Sequence, residues 1–343
     1  MRILVTGGAG YIGSTTAAAL LASGHEVVVV DDLSKGHRDA VPAAARFAQA
    51  DITVPDEIDE VVGDGEFDAC LHFAALIEAG ESMKAPERFF AVNTGGSATL
   101  LEALIRHSVP RFVLSSTAAV YGEPERTPIQ EDDLLAPTNA YGESKLLIER
   151  MLAWHHRIHG LRFAALRYFN AAGGTPERGE QHDPETHLIP LVLQVASGRR
   201  EGISVFGTDY PTPDGSAVRD YVHVVDLADA HVRAVEQLDQ HGTLTCNLGN
   251  GRGFSVREVI ESARRVTGHP IPAEEAPRRE GDPATLVASS DRARQLLGWQ
   301  PVHNDLDRIV GDAWAFASRQ GANTEGGNTE DDGTEDGGTE DPA

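Results

Sequence analysis

The sequence predicts an α/β fold, a doubly wound parallel sheet with a smaller C-terminal substrate lobe. Apolar strand candidates alternate with helical stretches, and they lie at residues 2–6, 26–31, 46–50, 68–73, 111–116 and 161–168. Strands that alternate with helices pair in parallel, because each helix crosses over the sheet in the same right-handed sense. The 343 residues are enough for a large core and a second lobe.

A glycine-rich turn directly after the first strand candidate predicts a dinucleotide site. Gly8, Gly10 and Gly13 satisfy the G-x-G-x-x-G pattern, and Gly7 adds a glycine before it. Such glycines permit a tight turn and a close approach of a pyrophosphate to the backbone. A helix expected from Thr15 to Ala22 would add free N–H groups and a partial positive charge. An ordinary glycine turn is the alternative, but the strand–turn–helix context favours a Rossmann-like domain.

The second strand candidate, EVVVVD at 26–31, ends in an acid that indicates the cofactor. Asp31 lies where a carboxylate accepts the ribose hydroxyls of NAD. Asp32 beside it would repel a 2′-phosphate, so the sequence predicts NAD, although Lys35 and Arg38 lie nearby.

Further cofactor contacts are expected where later strands end. Asp51 and Ile52 follow the third strand candidate, and Phe73, Ala74 and Ala75 lie at the end of the fourth. Small residues at this edge let a dinucleotide lie against the backbone, although plain core packing would also explain them.

A tyrosine and a lysine form the predicted catalytic pair. Tyr141 and Lys145 are four residues apart, which places them on one helical face. An ammonium close to a phenol stabilises the phenolate and lowers its pKa, and bound oxidised nicotinamide would add a second positive charge. Tyr141 is therefore predicted to act as a general base. Thr117 supplies a hydroxyl to the same edge. The alternatives are a surface Tyr–Lys pair without chemistry and a strand-end turn hydroxyl.

The order of these motifs resembles the extended short-chain dehydrogenase/reductase family. The shared segments are the glycine turn, HFAA at 72–75, SSTAAVYG at 115–122 and Tyr141-x-x-x-Lys145. Other segments narrow the resemblance to nucleotide-sugar 4-epimerases, and they are RYFN at 167–170, GTDYPT at 207–212, VRDYVH at 218–223 and PRREGD at 277–282. It extends from residue 1 to residue 318. The resemblance implies an isomerase with tightly held NAD that converts UDP-glucose and UDP-galactose through a transient 4-keto sugar.

The resemblance also implies the site residues. Catalytic roles fall on Thr117, Tyr141 and Lys145. Cofactor contacts fall on Gly7, Gly10, Tyr11, Ile12, Gly13, Asp31, Asp51, Ile52, Phe73, Ala74, Ala75, Asn93, Tyr141, Lys145 and Tyr168. Substrate contacts fall on Thr117, Tyr141, Asn170, His187, Leu188, Phe206, Arg219, Arg279, Asp282 and Leu286. Guanidinium groups bind phosphate bidentately, so the two arginines suit a diphosphate.

Three positions bear on how the site differs from the family. Ile77 stands where some members carry a lysine that reaches the nicotinamide ribose, and His187 stands where some carry an asparagine. Leu286 lies seven positions after Arg279, where a tyrosine restricts family members to hexoses and a small residue admits N-acetylated sugars. The resemblance therefore implies UDP-galactose turnover with weaker activity on UDP-N-acetylglucosamine.

Other functions remain open at this point. The nearest is another UDP-sugar 4-epimerase, specific for UDP-N-acetylhexosamines or UDP-pentoses. A nucleotide-sugar 4,6-dehydratase would carry an Asp-Glu pair after the threonine, where this chain has Ala118 and Ala119. A non-enzymatic dinucleotide sensor would have no need of Thr117, Tyr141 and Lys145.

Charge and composition limit the kinds of partner that the chain is expected to bind. The net charge of −24 disfavours nucleic acid and anionic membranes, and no run of 18 apolar residues or secretory signal is found. Cys70 and Cys246 lie in apolar runs, which suggests a reducing cytoplasm. The resemblance implies a homodimer formed through helices around 95–107 and 141–156. No metal is expected, because His155 and His159 fit a solvated helix end better than a metal site.

The predicted domains interleave along the chain. An NAD-binding domain comprises residues 1–170 and 219–250, and a nucleotide-sugar lobe comprises 171–218 and 251–320. Within them, Val222–Val225 and Thr245–Leu248 are expected as strands that return to the sheet, with helices at 227–238, 255–267 and 304–318. Residues 321–343 carry eight acids and no base, so this stretch is predicted to be a disordered acidic tail.

Overall fold

The structure, a computed structural model, describes residues 1–279 and 282–326, with side chains described as far as residue 320. The strands are β1 (Arg2–Thr6), β2 (Glu26–Asp31), β3 (Arg46–Gln49), β4 (Ala69–His72), β5 (Arg111–Thr117), β6 (Arg162–Tyr168), β7 (Asn170–Ala172), β8 (Ile203–Phe206), β9 (Val218–His223), β10 (Thr243–Leu248), β11 (Gly253–Ser255), β12 (Ala273–Ala276) and β13 (Thr285–Leu286). The helices are α1 (Tyr11–Ala22), α2 (Pro55–Gly63), α3 (Ala79–Ser82), α4 (Pro86–Phe89), α5 (Gly96–Arg106), α6 (Ala140–His159), α7 (Leu188–Ala196), α8 (Val224–His241), α9 (Val256–Thr267), α10 (Asp291–Leu297) and α11 (Leu306–Gly326). A π-helical turn, Phe90–Gly95, joins α4 to α5.

Seven parallel strands form the central sheet, in the order β10-β6-β5-β4-β1-β2-β3. All six strands predicted in the first half of the chain lie in it, with bounds that differ from the prediction by one residue or less. The order reverses between β1 and β4, which leaves a crevice at the carboxyl ends of these two strands. Ligands of open α/β sheets bind at such a switch point.

Helices cover both faces of this sheet, as a doubly wound fold requires. One core layer contains Leu20 of α1 and Leu227 of α8. The other contains Ile58 of α2, Leu100 of α5 and Ile148 of α6. Both layers are apolar and fully buried, so strands such as EVVVVD read as continuous apolar runs instead of alternating. The predicted fold class is confirmed.

One predicted strand lies in a different sheet. The strand expected at Val222–Val225 is β9, which pairs with β7, β11 and β13 in a smaller sheet and not with the central one. It ends at His223 because the imidazole Nδ1 accepts a hydrogen bond from Val225 N (3.2 Å) and caps α8. Of the two strands expected to return to the central sheet, only β10 does so. Helices α7, α9 and α11 pack around a separate core beside the smaller sheet.

The C-terminal helix is longer than predicted. The helix expected at 304–318 is α11, which continues to Gly326, so residues 321–326 are helical where the sequence predicts disorder. Once a packed helix has formed, each added residue gains one hydrogen bond at little further cost. The remainder of the predicted acidic tail, residues 327–343, lies outside the described residues. Within the described part of the chain, no helix has both the length and the apolar character needed to cross a membrane.

Candidate active site

The predicted cofactor residues meet in one cavity at the switch point. The cavity is lined by the β1–α1 turn, the ends of β2 and β4, and residues that follow them. Seventeen of the predicted site residues line it together, and they are Gly7, Gly10, Tyr11, Ile12, Gly13, Asp31, Asp51, Ile52, Phe73, Ala74, Ala75, Thr117, Tyr141, Lys145, Tyr168, Asn170 and His187. Ile77, the departure from the family, lines it as well. The extended shape of this lining suits a dinucleotide.

The glycine turn is shaped for a pyrophosphate. Gly7 has a φ of +69°, and a Cβ there would clash with the backbone of Ala74 at the end of β4. A Cβ on Gly13 would clash with the Gly7 carbonyl, so both positions need glycine. Gly10 begins α1, and no side chain in the described part of the chain caps that helix. The first N–H groups of α1 therefore face the cavity as a phosphate site.

Asp31 is held in place for a ribose. Its Oδ2 accepts a hydrogen bond from Ala9 N (3.0 Å) and its Oδ1 accepts one from Leu33 N (2.9 Å). Burial raises the pKa of this carboxyl, while the two backbone donors lower it. The carboxylate retains further lone pairs for ribose hydroxyls. The residues present therefore fit NAD.

The purified protein is expected to carry NAD in an amount stoichiometric with the chain, because the glycine turn and Asp31 enclose a dinucleotide. Denaturing the protein and separating the released small molecules by chromatography tests this expectation. NADP in place of NAD, or a trace of nucleotide that added NAD does not increase, would contradict it.

The predicted catalytic pair, Tyr141 and Lys145, lies on one face of α6 beside the end of β5. Asn139 caps this helix, and its Oδ1 accepts a hydrogen bond from Gly142 N (2.8 Å). Lys145 is 1% exposed, and its Nζ donates to the Ser115 carbonyl oxygen (3.0 Å). Thr117 ends β5 and accepts a hydrogen bond from Ala119 N (3.1 Å) at its Oγ1.

Burial of Tyr141 opposes the predicted lowering of its pKa by Lys145 and bound NAD⁺. Burial raises the pKa of the Tyr141 phenol to about 12, with a hydrogen bond to Thr117 lowering it and Glu78 raising it. Burial also lowers the pKa of the Lys145 ammonium to about 8. Spacing along a helix gives proximity but not desolvation, and desolvation dominates here. A second positive charge in the cavity is needed before the phenolate forms at neutral pH.

The sequence reasoning missed a buried ion pair behind the catalytic face. Glu149 accepts hydrogen bonds from Arg167 at both oxygens (2.5 and 3.0 Å), and the two side chains are 9% and 5% exposed. Ser116 Oγ donates to the same carboxylate (2.6 Å). The pair joins α6 to β5 and β6. Glu149 follows Lys145 by four residues, so the spacing Tyr-x₃-Lys-x₃-Glu was the available signal.

Asn93 supports the cavity wall from behind. Its side chain accepts a hydrogen bond from Leu76 N (2.8 Å) and donates to Leu76 O (2.9 Å) and Ser144 Oγ (3.0 Å). Of the predicted cofactor residues, it is the one that does not line the cavity as the described residues form it. Asn93 therefore fixes the loop after β4 and its position relative to α6.

A second cavity in the smaller lobe adjoins the first and holds most of the predicted substrate residues. Asn170 and His187 line both cavities. The other predicted residues in the second are Leu188, Phe206, Arg219, Arg279 and Asp282, and Arg200 joins them. The Arg279 guanidinium lies over the Phe206 ring, 3.9 Å from its centre, and Arg219 forms an ion pair with Asp282. Three guanidinium groups make this cavity suitable for an anion.

Leu286 lies outside both cavities as the described residues form them. Its side chain packs against the cluster that contains Ala118, Val120 and Ile129. Its backbone pairs with Arg219 of β9. The strand that contains it, β13, comprises only Thr285–Leu286. The predicted role of Leu286 in substrate choice would thus act through these neighbours.

Residues 173–187 form a cover segment over the cofactor cavity. Tyr11 OH donates to Gly173 O (2.8 Å), and Lys35 Nζ donates to Asp183 O (2.7 Å). Arg178 Nε donates to Ala40 O (3.0 Å), and His37 Nε2 lies 3.3 Å from Gln181 O. These hydrogen bonds attach the cover segment to the glycine turn and to the loop after β2. The sequence showed no sign of this cover, because its contacts are long-range.

The fold and the site together define a dinucleotide-dependent enzyme with a tyrosine–lysine pair, of the extended short-chain dehydrogenase/reductase class. A family model described as the NAD dependent epimerase/dehydratase family matches residues 3–249. The chain belongs to that family.

Several characterised proteins are similar to this chain over nearly its whole length. A UDP-glucose 4-epimerase of Corynebacterium glutamicum is 53% identical over 321 residues, which cover 94% of this chain and 97% of the relative. The structure of UDP-glucose 4-epimerase from Brucella ovis in complex with NAD is 45% identical, with a TM-score of 0.89 and coverage of 91% and 97%. That of Bifidobacterium longum in complex with NAD⁺ and UDP is 34% identical, with a TM-score of 0.89 and coverage of 94% and 99%.

Proposed function

We propose that this chain interconverts UDP-glucose and UDP-galactose by inverting the sugar at C4. The observation that carries the proposal is that Thr117, Tyr141 and Lys145 lie in a dinucleotide cavity that adjoins an arginine-lined one. Such an arrangement brings a sugar hydroxyl to the phenol while its diphosphate is held beside it. The relatives named above are UDP-glucose 4-epimerases, which supports the same activity.

In the proposed reaction Tyr141 takes the proton of the C4 hydroxyl while the hydride leaves C4. Bound NAD⁺ supplies the hydride acceptor and the second positive charge that the buried phenol needs. Thr117 hydrogen-bonds the phenol, and Lys145 is held in place by the Ser115 carbonyl. The 4-keto sugar then rotates within the site. The hydride returns to C4 on its other face, while Tyr141 returns the proton to the C4 oxygen. Electrons balance within one turnover, so no second substrate is required.

Arg219 and Arg279 are proposed to hold the diphosphate during this turn. Both line the second cavity, and Arg279 is pre-oriented by its stacking on Phe206. A guanidinium binds a phosphate through two parallel hydrogen bonds, which fixes the nucleotide end of the substrate. The sugar end is then free to rotate, so that C4 can release the hydride from one face and accept it on the other.

The structure offers nothing to favour a 4,6-dehydratase. Such an enzyme needs proton-transfer groups directly after the threonine, and Ala118 and Ala119 cannot transfer protons. Ala118 is 8% exposed and packs with Val120 and Ile129, which leaves no room for a longer acid without repacking. Detection of turnover would exclude a purely sensory role.

Incubation with a panel of UDP-sugars tests both the activity and its range. We expect turnover of UDP-galactose and weaker turnover of UDP-N-acetylglucosamine, because one apolar contact changes specificity by only ~1–3 kcal/mol. Leu286→Tyr should suppress the acetylated substrate and spare the hexose. Products are separated by ion exchange and identified by NMR. If both substrates respond alike, Leu286 does not govern substrate choice, and if no UDP-sugar reacts, the proposed function falls.

A homodimer in the cytoplasm is part of the same proposal. Two large apolar side chains near the C-terminal end of α6 are exposed, Trp154 at 60% and Ile158 at 67%. Exposed apolar groups of this size favour burial against a partner. They support an interface that includes α6, one of the two helices expected there from the sequence.

A further inference from the structure

Four potential metal ligands converge within the cover segment. They are Glu180, His182, Glu185 and His187, and one donor atom from each lies within 4.8 Å of all the others. The spacing E-x-H-x₂-E-x-H brings all four from eight consecutive residues. Three of them, Glu180, His182 and His187, line the cofactor cavity, so the cluster lies at its edge. The proposed epimerisation gives Glu180, His182 and Glu185 no role.

The contacts inside the cluster are shorter than ordinary packing but do not form a complete hydrogen-bond network. His182 Nδ1 lies 2.6 Å from Glu180 Oε1, yet both atoms are buried and have no hydrogen-bond partner among the described residues. His187 Nδ1 lies 2.8 Å from Glu185 Oε1 and 3.8 Å from Glu180 Oε2. Buried polar atoms without partners need an explanation.

The distances and burial suit a small dication. Ligand atoms of a tetrahedral zinc site are about 3.3 Å apart, given metal–ligand bonds of about 2.0–2.1 Å. The observed separations of 2.6, 2.8 and 3.8 Å lie on both sides of that value. The carboxylates of Glu180 and Glu185 are 11% and 6% exposed, and two buried carboxylates need compensating positive charge, which either a dication or the protonated imidazoles of His182 and His187 would supply. Lys35, the nearby lysine, is engaged with Asp183 O and Glu78.

We propose that Glu180, His182, Glu185 and His187 form a binding site for a divalent transition metal, with Zn²⁺ as its best occupant. Two imidazole nitrogens and two carboxylate oxygens are borderline ligands that zinc accepts in tetrahedral geometry. A site with four protein ligands is structural and not catalytic. The ion would cross-link the cover segment to itself above the cofactor cavity, and so would hold the segment closed over bound nucleotide.

Zinc binding to the untagged full-length protein tests the proposal. The protein is purified with its nucleotide, stripped of metal by a chelator and dialysed, and Zn²⁺ is then titrated against a chromophoric competitor. We expect one Zn²⁺ per chain and a rise in the thermal midpoint on binding. His182→Ala and the shape-conserving Glu180→Gln should each weaken binding at least ~10-fold. Far-ultraviolet circular dichroism spectra that match the wild type show that both variants are folded.

The chain supplies a matched control in His159→Ala. His155 and His159 also place two imidazoles close together, with ring centres 5.5 Å apart, but His159 is exposed and both lie outside the four-ligand cluster. This variant should bind Zn²⁺ as tightly as the wild type. Zinc binding that is absent in the wild type, or that survives in Glu180→Gln and His182→Ala, overturns the proposal. Loss in His159→Ala alone would assign the ion to the surface pair and overturn it equally. None of these readouts depends on epimerase activity.

Discussion

Tyr141→Phe is expected to retain the fold and the bound nucleotide but to lose ~10²–10⁴-fold in turnover, the usual contribution of a general base. The ring stays in place, so packing in the cavity is nearly unchanged. In the proposed reaction the phenolate oxygen accepts the sugar proton, and the hydrogen bond with Thr117 is the contact that lowers the pKa of the phenol. The variant has no group of similar basicity at that position.

The measurement is kcat for UDP-galactose, followed by formation of UDP-glucose in a coupled assay. Nucleotide content after denaturation and the thermal midpoint serve as controls, and both should match those of the wild type. A fall in either one would mean that the loss of turnover reflects structure instead of chemistry. Wild-type turnover in this variant would place the base on another residue and end the proposed mechanism.

Glu149→Gln is expected to lower the free energy of unfolding by ~3–5 kcal/mol, as is typical when one partner of a buried ion pair is removed. The amide has nearly the shape of the carboxylate but leaves the Arg167 guanidinium, 5% exposed, without its counter-charge. The remaining partners of Arg167 are neutral, with Tyr121 OH at 2.9 Å and Glu131 O at 3.2 Å. Neutral acceptors do not replace the lost charge.

Urea denaturation of both proteins at neutral pH measures this difference. The matched control is Glu102→Gln, which removes one partner of the Arg106–Glu102 pair on α5, where the side chains are 52% and 74% exposed. Exposed pairs contribute little, so the control should unfold at the wild-type urea concentration. If Glu149→Gln and Glu102→Gln have the same midpoint, the buried pair does not stabilise the fold as argued.

The sequence was sufficient for the central sheet because its signals are local. Strands such as Glu26–Asp31 are short apolar runs bounded by turn residues, and parallel order follows from the helices between them. The sheet membership of Val218–His223 was missed because pairing with Asn170–Ala172 joins residues far apart in sequence. No local pattern encodes such a choice.

The candidate site likewise contains some features that the sequence predicts and others that it does not. The spacing of Tyr141 and Lys145 placed both on the catalytic face, and the glycine pattern located the cofactor cavity. The burial that raises the pKa of Tyr141 could not be predicted, because burial depends on what surrounds a side chain and not on its neighbours in sequence. The cluster of Glu180 and His187 was missed for a related reason, since its residues lie in a stretch without helical or strand periodicity.

The ties of the cover segment also bear on how such sequences diverge. Lys35, Arg178 and Tyr11 donate to main-chain carbonyl oxygens, and the same is true of the contact made by His37. Every amino acid carries that carbonyl, so the side chains at the acceptor positions can change during evolution without loss of the hydrogen bond. The donor atoms belong to side chains, so a substitution at a donor position removes the hydrogen bond. Drift is therefore expected at Gln181 and Asp183 before it is expected at Lys35 or Arg178.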